Sequence, residues 1–169
     1  KTLGWPYVVH LYMEAYKNKH TDADKTVLDK AYTFIENNVW LELSDDERQF
    51  LATMSVFSSF NLNQCMKQTF LEEKMCLKLL NSIPLINYDE HTRRYSFNPM
   101  FDGFILQVLD EMPVDEVTKI TLRAADTNLD DGNYFEAMKL YSHSKEYRKI
   151  YQHNIDFIYI YPYVIKQNK

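Results

Sequence analysis

Apolar residues recur at helical spacing along nearly the whole chain, and the period changes once, just after Pro84. That single switch confines the fold to a helical body carrying one small hairpin. A 3.6-residue period cannot line one face of a strand, and a two-residue period cannot line one face of a helix. Before the switch, residues 5–16 read as a helix behind a break at Gly4. Pro6 sits in its first turn, where a missing N–H is harmless, and Val9, Met13 and Tyr16 are spaced for one face. After a polar loop, Val27, Leu28, Ala31, Phe34 and Ile35 repeat at helical spacing over about 24–38. Ser44 with Glu47 makes a capping box opening a third helix, with Phe50, Leu51, Met54, Val56 and Phe57 directed inward. Asn61 caps a fourth helix reaching about Phe70. A fifth, from Glu72 to Asn81, turns Met75, Cys76, Leu79 and Leu80 inward.

Beyond Pro84, residues 85–89 and 93–97 alternate around the polar turn Glu90-His91-Thr92, the pattern of a β-hairpin. Helices resume over 100–111, behind Pro99, and from Pro113 to about Asp131. Gly132 stops that helix, and another over 134–142 returns Ala137 and Leu140 against it, as an antiparallel helical hairpin would. Residues 155–165 are rich in Ile and Tyr and fit helix or strand equally by period. They are an interaction patch if exposed, or the surface that awaits the next unit of a repeat array. The expected class is mainly α. Three helices followed by a hairpin is the order of a winged helix, expected over 41–111. Residues 1–40 precede it as separate helices, and 112–169 begin a region of helical repeats.

Composition removes several function classes. The chain has 169 residues, 46% of them apolar, enough for a core without crosslinks. It has no run of about 18 apolar residues and no secretory leader pattern, so a cytoplasmic protein is expected. Cys65 and Cys76 lie too far apart for a CxxC pair and read as core thiols. The three glycines, Gly4, Gly103 and Gly132, are scattered and cannot build a phosphate-cradling loop, which excludes nucleotide hydrolysis by this chain alone. His10, His20, His91, His143 and His153 lack metal-ligand spacing, and there is no GxSxG elbow. Asp45, Asp46 and Glu47 suit the positive end of a helix dipole better than a cation site. No catalytic residue and no metal ligand is therefore assigned. Because the chain opens at Lys1 almost directly into an apolar helix, it reads as a piece excised from a larger protein.

Four segments carry a resemblance in their order: Gly4-Trp5-Pro6 at a helix start, then FIENNVWLELSDDERQFLATMSVFSSFNLNQC, then LLNSIPLINYDEHTRRYSFNPMFDGFILQVL, then TLRAADTNLDDGNYFEAMKLYSHSKEYRKI. Together, over about residues 3–150, they resemble the middle of the MalT-like LuxR-family transcription activators, signal-transducing ATPases related to the NB-ARC proteins. The resemblance implies a lid helix, a winged-helix module and a first helical repeat similar to those of tetratricopeptide arrays. It implies ATP or ADP as cofactor of the intact protein and none for this chain by itself. The implied partners are the ATPase core and the remaining repeats, with self-association on activation. Pro6, beside Trp5, is implied to pack against the adenine, and an indole and a pyrrolidine ring do offer a base a stacking surface. Asn98 falls where that family usually carries a phosphate-contacting histidine. Its amide can donate a hydrogen bond but carries no charge, and it serves equally as the cap of the helix behind Pro99.

Arg93 and Arg94 raise a rival reading, because a winged helix that reads DNA sets such residues on phosphates, whereas a solvated hairpin tip bears them idly. The net charge is −5, and Glu72-Glu73 open the helix that would enter the groove. Both oppose phosphate. In the resembling family DNA binding belongs to a separate carboxy-terminal domain. A repeat scaffold without any ATPase is the other alternative.

Overall fold

The computed structural model describes residues 6–17, 23–83 and 85–152. They form α1 (Pro6–Lys17), α2 (Ala23–Asn38), a 3₁₀ turn (Trp40–Glu42), α3 (Asp45–Met54), α4 (Leu62–Thr69) and α5 (Glu73–Ser82). There follow β1 (Ile86–Asp89), β2 (Arg94–Phe97), α6 (Pro99–Glu111), α7 (Val114–Asp130), α8 (Tyr134–His143) and α9 (Tyr147–Gln152). The described chain is mainly helical with one small antiparallel sheet of two strands. Gly4, Trp5, Pro84, the side chain of Tyr16 and residues 155–165 lie outside what is described.

Local chemistry accounts for most boundaries. At the start of α3 the Ser44 hydroxyl accepts the Glu47 N–H at 3.3 Å, while Glu47 Oε2 accepts the Ser44 N–H at 2.9 Å. Asn61 and Gln64 repeat that reciprocal pair at α4, at 2.8 and 3.0 Å. Both boxes satisfy N–H groups that a helix start leaves orphaned. In the hairpin, Ile86 faces Phe97 and Asp89 faces Arg94. The Asp89 carboxylate gathers the turn by accepting from His91 N and Thr92 Oγ1. Asn98 caps α6 by accepting the Met100 N–H at 3.0 Å, with Pro99 in the first turn. Gly132, at φ +76°, ends α7, and the Asn133 N–H reaches back to Asn128 O at 2.8 Å. That six-to-one bond closes a Schellman-type stop, which needs the left-handed residue at Gly132.

Two apolar clusters result. The larger joins α1 through α6, with Phe60, Phe101, Ile105, Leu51, Met54 and Ile35 fully buried, and Ala124 of α7 is included in it. The smaller gathers Ala125, Ala137, Met138, Tyr141 and Ile150 between α7, α8 and α9. Phe60, in the α3–α4 connection, exchanges backbone bonds with Tyr95 at 2.9 and 2.7 Å, so this loop adds a single bridge to β2.

Four expected core positions, on three helices, are corrected. On α1, Val9 and Met13 are 39% and 55% exposed and Leu11 is buried instead, because this end helix packs chiefly on α2 and turns a narrow face to it. On α2 the buried stripe is Val27, Ala31 and Ile35, spaced by four, which leaves Leu28, one residue round the helix, at 37%. On α5, Cys76, Leu79 and Leu80 form the stripe, and Met75 is rotated off it at 45%. On α2 and α5 the error took a run of adjacent apolar residues as one face.

Candidate functional site

The contact between α4 and α7, where the hairpin-bearing unit meets the terminal helical hairpin, carries the densest set of polar groups whose partners are far apart in sequence. Gln68 is fully buried, and its Nε2 donates to Ile120 O at 3.0 Å and to Thr53 O at 3.4 Å. Arg123 Nη1 donates to Gln68 O at 2.8 Å, with its guanidinium 4.5 Å over the Phe70 ring. Lys67 Nζ meets Asp131 Oδ1 at 2.8 Å, and that hydrogen bond chiefly raises the Lys67 pKa. Gln49 reaches Glu116 at 3.4 Å on the rim. Two atoms in this contact, Gln68 Oε1 and Asp131 Oδ2, are buried without a protein partner. Each carries a desolvation cost of about 1–3 kcal/mol unless water reaches it. A junction built this way is held by directional bonds and can be exchanged for solvent more readily than an apolar one.

The hairpin is tied to the same helix. Arg94 donates through Nε to Ser59 Oγ at 2.9 Å and through Nη2 to Ser59 O at 2.6 Å and Gln64 Oε1 at 3.1 Å. It is thus a half-buried anchor of the α3–α4 loop, neither a phosphate contact nor a solvated tip. Arg93, exposed at φ +53°, is left at the turn. Glu72 and Glu73 open α5 fully exposed, and Glu72 makes no side-chain cap.

An open groove of about 620 Å³ runs between α3 and α5 and is bounded by Arg123. Phe50, Leu71 and Leu79 line its apolar part, Glu47 stands on one edge, and Lys78 and the half-exposed Met75 stand on the other. Hydrogen bonds from Ser44, first through its backbone and then its hydroxyl, hold the Glu47 carboxyl below its ordinary range. Cys65 and Cys76 are both buried and free, and burial pushes the Cys65 thiol far up, which suits a core residue better than a nucleophile.

Trp5 lies outside the described residues. Pro6 is exposed at the first position of α1, and Asn98 caps α6. Neither Pro6 nor Asn98 lines any of the four cavities described. Asn98 has spent its amide oxygen on Met100, leaving a neutral NH₂ that fits a phosphate poorly. No group of three or more potential metal ligands occurs among the described residues, and no helix among them is long and apolar enough to cross a membrane.

The junction residues Lys67, Gln68, Arg123 and Asp131 were invisible to periodicity. The available signal was Gln64 and Gln68 beside Cys65, polar residues at the spacing of a buried stripe. Only their partners from α7 distinguish a buried amide from an exposed one. No protein-family profile matches the chain, and no curated protein matches it.

Proposed function

We propose that the chain is a regulatory segment of a MalT-like, ATP-dependent transcription activator, a winged-helix module whose docking to a first helical repeat relays the state of the larger protein. The supporting observation is the α4–α7 junction: a winged-helix order of elements, with the Phe60–Tyr95 bridge in the place of its short first strand, joined to a helical hairpin through Gln68, Arg123 and the Lys67–Asp131 pair. A polar junction can exchange its bonds for water when it opens, and a regulatory hinge needs such a second state. No step is routed through a nucleotide, because Asn98 does not suit a phosphate. An autonomous DNA reader is disfavoured by exposed Glu72 and Glu73 on α5 and by the use of Arg94 as an internal anchor.

Two measurements test this. Fluorescence anisotropy on mixed-sequence duplexes near 0.15 M salt, about physiological ionic strength, is expected to show no binding by the chain. Salt-sensitive micromolar binding that disappears in Arg93→Ala would move the assignment to a DNA-reading domain. In a transcription reporter with the intact protein, Arg123→Ala is expected to change basal activity. Unchanged basal and induced activity would refute the coupling role.

A further inference from the structure

A cavity of about 120 Å³ separates the turn end of β2 from the α7–α8 turn, and its walls include Ser58, Arg94, Asn128, Asn133 and Glu136. Phe57 of the larger apolar cluster and Asn128 of α7 are also among its lining residues. Among the described residues Arg94 forms no ion pair, and while its Nε and Nη2 are engaged by Ser59 and Gln64, its Nη1 has no acceptor there. The Gln64 amide that accepts from Arg94 is fully buried, and its own Nε2 has no partner. On another wall, Glu136 meets Lys139 through Oε2 at 3.5 Å and leaves Oε1 without a protein donor. Asn133, the first residue before α8, makes no side-chain cap, so its amide oxygen is also unspent. A guanidinium and a carboxylate thus line one small cavity without pairing with each other.

That arrangement sorts ligands by charge. A simple anion suits Arg94 and is repelled by Glu136; a simple cation has the opposite difficulty. A molecule carrying both charges satisfies both walls. The volume, about that of four liquid waters, admits only a few heavy atoms. We propose that this cavity binds a small zwitterion, a free α-amino acid of about the size of glycine or alanine, with its carboxylate on Arg94 and its ammonium on Glu136 and Asn133. Because both units supply walls, the ligand favours their docked arrangement and adds to its stability with the logarithm of ligand concentration above Kd. The site stands independently of the transcriptional role.

Heteronuclear NMR titration of the full 169-residue chain tests this with glycine, alanine, acetate and methylammonium as probes. Glycine or alanine is expected to shift the Ser58, Asn128 and Asn133 amides saturably, with Kd on the order of 1 mM, and acetate and methylammonium to bind at least about tenfold more weakly. Glu136→Gln should abolish the preference for glycine over acetate. Arg94→Lys keeps the charge but loses the free Nη1 donor and the bonds that orient it, and should weaken glycine about tenfold. If Arg94→Lys fails to fold, Glu136→Gln decides alone. Acetate binding as tightly as glycine, unchanged glycine affinity in Glu136→Gln, or no saturable shift with either amino acid would each overturn the proposal.

Discussion

Arg93 and Arg94 are neighbours of the same type with opposite fates. Arg94 makes three hydrogen bonds to Ser59 and Gln64, and removing it strands the Ser59 carbonyl and leaves Gln64 Oε1 with the Asn61 N–H alone. Hydrogen bonds to a charged group contribute about 1.5–3 kcal/mol, and stranded partners add their own desolvation. Arg94→Ala is expected to lower unfolding stability by about 3 kcal/mol in urea titration, and Arg93→Ala by under about 0.5 kcal/mol. Equal costs would show that Arg94 is no anchor. Tyr141 illustrates the same dependence on surroundings. It is fully buried, donates to Asp126, and burial followed by that carboxylate pushes its hydroxyl far above its ordinary pKa. Lys149 completes the cluster, reaching both Asp126 oxygens at 2.9 Å.

At the scale of an element, α3 shows a helix start written almost wholly in local sequence. Its capping box closes through Ser44 and Glu47, and Glu47 also accepts from Ser82 of α5 at 3.3 Å, so the box touches the next wall of the groove. Ser44→Ala should cost about 1 kcal/mol by thermal or urea unfolding. The pH dependence follows from the sign of the shift. The folded pKa of Glu47 lies below its ordinary 4.5, so its contribution is fully present above that pH and is lost as pH falls through the folded value. The gap between wild type and Ser44→Ala should therefore narrow below about pH 4.5; a gap that widens on acidification would contradict the box. The end of α4 lacks such local economy. Phe70 takes the left-handed conformation at φ +59°, a position that favours glycine, and its ring lies against Arg123 of α7.

For the whole molecule, the division into two apolar clusters meeting at a polar junction predicts uneven stability. The smaller cluster has five buried apolar residues, and its link to the rest combines the apolar contact of Ala124 with the polar bonds of Gln68 and Arg123. Amides of α8 and α9 should exchange with solvent through openings of lower free energy than those of α3 and α6, because little apolar surface resists them. Arg123→Ala should speed exchange across α7 to α9 and leave α3 and α6 unchanged. Exchange accelerated equally everywhere would mean that the two clusters unfold as one unit.

What the sequence by itself determined was decided by local geometry: the mainly helical class, the single hairpin after Pro84, the Ser44 and Asn61 caps, and the helix stop at Gly132. Each depends on residues within a few positions, where spacing and capping chemistry act without help from the rest of the chain. Tertiary structure alone decided which apolar residues were buried, as Leu11 in place of Val9 and Met13 shows, because a helix face is chosen by its neighbour. It also decided that Arg94 is an anchor, that Gln68 is buried, and that Arg94 and Glu136 wall one cavity. Those pairings join residues many positions apart, and a polar residue carries no local mark of the partner that will desolvate it.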